Sequence, residues 1–153
     1  MSAAPNPTEA AEALAAVHAS RRAILEAGKA RWPWSRHAAG AALISGFVAA
    51  NAAPPLLALP IDLVLAAAIG LIIAVDKART GVFVNGWRAG PTRPVVIGIT
   101  LAYLTLQAVC LWLKFDRGLW QAPLAGGIVL FPIALFGSKL WEIVYRRDLG
   151  RGL

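Results

Sequence analysis

Cysteine and histidine are scarce in this chain, and their scarcity excludes several kinds of site. The 153 residues include one cysteine and two histidines. The lone Cys110 cannot form a disulfide framework, a CxxC pair or a zinc cluster, so we interpret it as a small apolar side chain. His18 and His37 lie outside the apolar runs, so the intramembrane histidine pair that ligates haem in many electron carriers is not expected. We predict no cofactor and no metal.

Catalytic motifs are missing as well. The sequence has no Gly-rich phosphate loop, Walker lysine, HExxH or nucleophile elbow. Gly126-Gly127 lies inside an apolar run and indicates helix packing rather than a phosphate cradle. Because no nucleophile, base or metal cluster can be assembled from these residues, we predict no enzyme and no catalytic residue.

Charge is also in short supply. Only 15% of the residues are charged, 58% are hydrophobic and the mean hydropathy is +0.62, which indicates a membrane protein that contacts the lipid bilayer. The 15 Lys and Arg residues outnumber the 8 Asp and Glu residues. In a chain of this kind membrane topology explains that excess, so a nucleic-acid partner is not expected.

The apolar residues predict an all-α membrane protein with four transmembrane helices, at about residues 35–52, 56–75, 95–113 and 119–145. The third of these is a charge-free run of the length needed to cross a bilayer. Residues 38–75 are too many for one helix, and Pro54-Pro55 interrupts them. A re-entrant hairpin remains the alternative for this pair. The expected domains are residues 1–34, a cytoplasmic helix with an interfacial anchor, and residues 35–153, a four-helix bundle in the membrane.

Basic residues predict the orientation of the chain. They concentrate before the first span, in the loop at residues 76–94 and near the C-terminus, whereas the two opposite turns hold only Lys114 and Arg117. The positive-inside rule then places both termini and the loop on the cytoplasmic side of the membrane.

The N-terminal segment reads as an amphipathic helix. Asn6, Pro7 and Glu9 form a helix start. Leu14 and Val17 fall on one arc at 100° per residue, although Arg21 falls there too. Three roles remain open for this helix, which are packing on the membrane domain, lying on the inner leaflet, or binding a second protein.

The loop contains a short hairpin pattern. Asn-Gly favours a type I′ turn, here between apolar residues. Such a hairpin would present candidate partner-binding residues, which are Phe83, Asn85, Gly86, Trp87 and Arg88. The alternative is an irregular interfacial loop in which Asn-Gly is only a turn.

A few polar residues fall within the predicted spans. Asp62 and Gln107 are candidate transport residues, because ionisable and amide groups at membrane depth are often functional. Asp62 has a structural alternative, which is to complement the N-terminus of its helix. Lys139 and Glu142 are three residues apart, where they can pair locally.

Small residues repeat every four positions in the first two spans, including Gly46 and Gly70. This spacing lets helices approach closely and predicts that the two spans form a tight antiparallel pair. The alternative is that one stripe of small residues is the contact face of a homo-oligomer.

Three segments of the chain occur together in a recognisable order, namely the alanine-rich Ala13–Ile24, the Trp-Pro-Trp at residues 32–34 and the loop segment Arg79–Gly90. In these segments the layout resembles a group of small bacterial inner-membrane proteins to which no activity is attached. The resemblance implies four spans and carries no catalytic residue.

Two classes of function follow from these patterns. The first is a non-enzymatic accessory, anchoring or regulatory component that engages a protein partner through its cytoplasmic helix and basic loop. The second is a small oligomeric transporter or channel that uses Asp62 and Gln107. The low polar content of the spans favours the first.

Overall fold

A computed structural model describes residues 6–29, 32–80 and 90–151, and these residues form five helices. In chain order the helices are α1 (Pro7–Lys29), α2 (Trp34–Ala50), α3 (Pro55–Thr80), α4 (Arg93–Asp116) and α5 (Ala122–Arg151). The predicted all-α fold is confirmed. The chain divides into an N-terminal unit, residues 1–31, and a C-terminal unit, residues 32–153.

The N-terminal unit contains α1, which begins where the sequence predicts. The Thr8 N–H donates to the Asn6 side-chain oxygen at 3.3 Å, and the Ala10 N–H donates to the Asn6 carbonyl at 3.0 Å. Asn6 therefore caps the helix by satisfying one of its free N–H groups. Leu14 and Val17 on α1 are 61% and 52% exposed.

Three helices of the C-terminal unit are long and apolar enough to cross a membrane, namely Pro55–Ala78, Arg93–Asp116 and Ala122–Asp148. They correspond to the second, third and fourth predicted spans; the first two of these helices are a few residues longer than predicted, and the last begins and ends three residues later. The helix at the first predicted span, α2, has 17 residues. A crossing by α2 therefore stays a prediction, as does the orientation of the chain.

α2 runs antiparallel to both α3 and α5. Toward α3, Arg36 near the start of α2 pairs with Asp76 near the end of α3. A Cβ placed on Gly46 would lie 3.1 Å from Leu65, closer to the start of α3. Toward α5, the start of α2 meets the end of α5, where His37 contacts Ser138.

The most extensive contact of α2 is with α5. A Cβ placed on Gly127 of α5 would lie 2.9 Å from Ala49 Cβ and 3.0 Å from the Ser45 carbonyl oxygen. Only glycine permits this approach. The prediction that Gly126-Gly127 is a packing feature is confirmed. The predicted antiparallel contact between α2 and α3 is present, but it is less extensive than the contact of α2 with α5.

The apolar core lies where α2, α4 and α5 meet. Val48, Cys110 and Leu130 are buried there, one from each helix, and Tyr103 packs against them. Cys110 is thus the buried apolar filler that the sequence suggested. On α3, by contrast, Gly70 is exposed and has open space around its Cα.

Candidate functional site

A cluster of polar side chains occupies the end of the C-terminal unit where α2 begins and α5 ends. Its centre is His37, whose side chain is 0% exposed. The His37 Nδ1 atom lies 2.7 Å from Ser138 Oγ, and Nε2 lies 3.1 Å from Glu142 Oε2. α2 begins at Trp34, and His37 on its first turn is buried against α5, a contact that the sequence did not indicate.

Glu142 joins the members of this cluster. It is 6% exposed and accepts hydrogen bonds from three donors, two of them on Oε2. Lys139 Nζ and His37 Nε2 meet Oε2, and the Trp32 N–H donates to Oε1 at 3.3 Å. The predicted Lys139–Glu142 pair is present. Its role is wider than predicted, because the same carboxylate also binds the chain at Trp32.

Aromatic rings and a second ion pair extend the cluster. The Trp32 ring stacks on Trp141 at 5.7 Å between centroids, and Trp141 stacks on Tyr145 at 5.2 Å. The Arg36 guanidinium lies 3.5 Å from the Trp32 ring centroid, and its Nε donates to Asp76 at 2.8 Å. These contacts connect the start of α2 to the C-terminal parts of both α3 and α5.

The hydrogen bonds indicate which nitrogen of His37 carries the proton. Because a carboxylate only accepts, Nε2 near Glu142 must be the donor. In the neutral ring Nδ1 then accepts from the Ser138 hydroxyl, which rotates freely enough to donate or accept.

Ser138, His37 and Glu142 are arranged as a hydroxyl, a base and an acid, an order that hydrolases use. Sequence reasoning missed this contact because Ser138 and His37 are 101 residues apart. Ser138 lies inside α5, where backbone N–H groups donate to carbonyls one turn earlier. They do not supply the free donors that stabilise an oxyanion. The arrangement suits holding or exchanging a proton, and does not suit acyl transfer.

The candidate transport residue Asp62 lies at the other end of the C-terminal unit. It is the eighth residue of α3, and the first turn of that helix contains no acidic residue. The interpretation of Asp62 as a helix-terminal acid is therefore wrong. Its Oδ1 atom is buried and has no hydrogen-bond partner among the described residues.

Gln107, the second candidate transport residue, shares this feature. Within residues 6–29, 32–80 and 90–151, its Oε1 atom is buried without a hydrogen-bond partner, as is the Ser45 hydroxyl. Gln107 lies toward the end of α4, and Asp62 toward the start of α3. α3 begins, and α4 ends, at the end of the unit opposite His37, because α3 is antiparallel to α2 and α4 is antiparallel to α5. Both residues therefore lie in the same half of the unit.

Lys114 binds backbone carbonyl groups at the same end of the unit as Asp62 and Gln107. Its ammonium donates to the carbonyl oxygens of Asn51 and Ala53, the latter at 3.4 Å. These carbonyls follow the last turn of α2, where intrahelical donors run out. A lysine at this position satisfies them and complements the negative end of the helix dipole.

The remaining candidates are located as follows. Phe83, Asn85, Gly86, Trp87 and Arg88 lie outside the described residues. Within the part of the chain that the structure describes, no group of three or more His, Cys, Asp or Glu residues could hold a metal ion.

The chain was compared with family models, curated proteins and solved structures. No family model, curated protein or solved structure matches the chain.

Proposed function

We propose that this chain is a four-span protein of a bacterial inner membrane that acts as a non-enzymatic accessory, anchoring or regulatory component. Its N-terminal helix and the loop at residues 76–94 contact a protein partner in the cytoplasm. The observation that carries the proposal is the exposure of Leu14 and Val17 on α1, at 61% and 52%. The resemblance to small four-span bacterial proteins agrees with this architecture.

A protein fits the exposed face of α1 better than a lipid surface does. Helices that lie on the anionic inner leaflet carry Lys and Arg beside their apolar face. The first half of α1 carries Glu9 and Glu12 instead, with no basic residue before Arg21. Its charge would therefore be repelled by the leaflet and attracted by a basic groove.

The contacts of Trp32, the first residue of the C-terminal unit, also support an anchoring role. Its N–H bonds to Glu142 and its ring stacks on Trp141. Because α1 precedes Trp32 in the same chain, a partner bound to α1 would be tethered to this unit.

Site-specific photo-crosslinking in cells tests the partner. A photoreactive phenylalanine analogue in place of Leu14 should give a discrete protein adduct. The same analogue at Ala16, on the face of α1 that also carries Glu9 and Glu12, is the matched control and should give none. Adducts only to lipid, or equal adducts from both positions, would contradict the proposal.

The loop is tested separately, by replacing Phe83 and Trp87 with Ser while its basic residues are kept. The variant should insert normally, because topology depends on the basic residues. If the loop helps to bind the partner, the Leu14 adduct should weaken several-fold, because aromatic side chains supply much of the energy of protein interfaces. An unchanged adduct would remove the loop from the interface.

Cysteine labelling tests the proposed orientation. In a Cys110→Ala background, cysteines at Ser2, Asn85 and Gly152 should resist an impermeant thiol reagent added to intact cells. A cysteine at Leu119, which is 54% exposed between α4 and α5, should react. Labelling at Asn85 would exclude the four-span arrangement with a cytoplasmic loop.

A small oligomeric transporter or channel is the second candidate, and one observation favours it. The Asp62 Oδ1 and Gln107 Oε1 atoms are buried acceptors without partners in the described chain, and such atoms cost free energy unless something binds them. Asp62→Asn should then abolish a flux driven by a pH gradient in proteoliposomes. Asp116→Asn removes the same charge from an exposed site and should leave the flux intact. The absence of flux in the parent protein would exclude this candidate.

A further inference from the structure

We propose that His37, held between Ser138 and Glu142, is a buried proton-binding site, and that Lys139 is the cation displaced when the proton binds. The proposal is independent of the accessory role. It rests on the hydrogen bonds, burial and charges of this one cluster.

The two partners of the ring suit both protonation states of His37. In the neutral state Nε2–H donates to Glu142 at 3.1 Å and Nδ1 accepts from Ser138 at 2.7 Å. In the protonated state both nitrogens donate. The bond to Glu142 then becomes charge-assisted, and the Ser138 oxygen accepts from Nδ1.

Ser138 can make this change without losing its own bond. A serine hydroxyl inside a helix can donate to the carbonyl four residues earlier, which is that of Ala134. Rotation of one hydroxyl group therefore lets the site take up a proton while every polar atom around the ring keeps a partner. An apolar residue at position 138 would leave Nδ1–H buried and unpaired.

The charged groups around His37 determine which side chain is displaced when the ring binds a proton. On α5, Lys139 Nζ lies 3.4 Å from His37 Nε2 and shares Glu142 Oε2 with it. On α2 and α3, Arg36 and Asp76 form a pair whose charges largely cancel. On α4, the only charged residue near this end is Arg93, which is exposed.

A proton on His37 therefore places two cations on one carboxylate. Lys139 is the more mobile of the two, since its side chain is 21% exposed whereas His37 is 0% exposed. Its long stem can carry the ammonium outward while the apolar part stays in contact with the protein. Lys139 also lies 5.1 Å from the Trp34 ring, so its departure changes the surroundings of an indole at the start of α2.

The proton would also act on Trp32, the first residue of the C-terminal unit. Glu142 holds the Trp32 N–H through Oε1, so a redistribution of charge on this carboxylate alters the bond that fixes the chain at Trp32. Proton binding and the position of Trp32 are thereby coupled through one side chain.

Nitrogen-15 NMR of histidine-labelled protein in detergent micelles tests the site directly. The chain has two histidines, and exposed His18 serves as the reference in the same sample. A His18→Gln variant assigns the signals. His37 should pass from the Nε2–H tautomer to the doubly protonated ring between pH 5 and 8. A ring that keeps one protonation state across this range would overturn the proposal.

Variants of Glu142 and Lys139 should shift the pH at which His37 takes up a proton in opposite directions, and the direction identifies the role of each residue. Glu142→Gln removes the negative charge, so proton uptake by His37 should shift to lower pH by about one unit or more. Lys139→Gln removes a positive charge and should shift uptake to higher pH. Because the two shifts are opposite, a misfolded variant cannot produce both.

The matched control is Asp116→Asn, which lies at the far end of α4, and it should leave both histidines unchanged. Ser138→Ala should shift His37 to lower pH by a smaller amount than Glu142→Gln. His18 should be unaffected throughout. If Lys139→Gln does not change the pH midpoint of proton uptake by His37, the proposal that Lys139 is displaced is wrong.

Discussion

The two ends of the C-terminal unit satisfy their polar groups in opposite ways. At the end with His37, four side chains from α2 and α5 bond to one another, and Glu142 alone accepts from three donors. At the opposite end, Asp62 and Gln107 each present a buried oxygen without a partner among the described residues. The first end is a hydrogen-bonded network, although the Trp141 Nε1 there is also buried without a partner among the described residues, whereas the other end holds unsatisfied acceptors.

This difference separates a role in stability from a role in binding. Charged groups that are buried and bonded to one another are expensive to disrupt, because removing one leaves its partners without compensation. A buried acceptor that lacks a partner makes no hydrogen bond that a mutation could remove, whereas a ligand that donates to it adds a favourable hydrogen bond. Mutation should therefore affect stability at the first end and binding at the second.

The largest expected effect on stability is that of Glu142→Gln. The amide cannot serve both Lys139 and the Trp32 N–H, and it lacks the charge that balances Lys139. The loss should be about 3 kcal/mol, the lower range for breaking a buried ion pair, measured as resistance to unfolding by a denaturing detergent. Asp116→Asn is the control, because its pair with Arg117 is about 60% exposed and should contribute almost nothing. Equal losses would show that the network has no special role.

A smaller effect is expected for Gly127→Ala, which tests the α2–α5 contact between the two ends. The added methyl would approach Ala49 Cβ and the Ser45 carbonyl oxygen, and backbone atoms cannot yield easily. Overpacking of this kind costs about 1–3 kcal/mol. The matched variant is Gly70→Ala, where nothing lies within 4 Å, and it should be neutral or slightly stabilising because alanine favours helix. The same unfolding assay compares them, and a destabilised Gly70→Ala would contradict the exposure of α3.

The smallest effect is expected for Lys114→Met. It removes the donor to the carbonyl oxygens of Asn51 and Ala53, which then turn toward solvent or headgroups. The loss should be about 1 kcal/mol, within the range for one net hydrogen bond. Arg117→Met, at an exposed position, is the comparison and should change stability less. A loss as large as that of Glu142→Gln would mean that both ends are fixed networks.

Much of the fold was predictable because its signals are local. Runs of apolar residues gave three spans, Pro54-Pro55 separated α2 from α3, and Asn6 marked the start of α1. The Lys139–Glu142 pair was also predictable, since it depends on a spacing of three within one helix. In each case the residues that decide the outcome are close together in the chain.

The candidate site was harder to predict because its contacts join distant residues. His37 falls within the predicted first span, but its contacts are with Ser138 and Glu142, which are 101 and 105 residues away. Asp62 was read as a helix-terminal acid, but α3 begins at Pro55, which places Asp62 two turns inside. The predicted helix starts were close to the observed ones, so what the sequence did not show was which side chains meet across helices.

By itself, the sequence determined that the chain is helical, that it has three segments able to cross a bilayer, and where α1 begins. These follow from hydrophobicity and helix capping, which act over one or a few helical turns. The tertiary structure alone decided that α5 is the main partner of α2, that Gly127 admits the Ala49 methyl, and that His37 meets Ser138 and Glu142. Those contacts depend on how separate helices pack, and helices in a membrane have many pairings of similar apolar character. The choice among them comes from the fit of small residues and the pairing of a few polar groups.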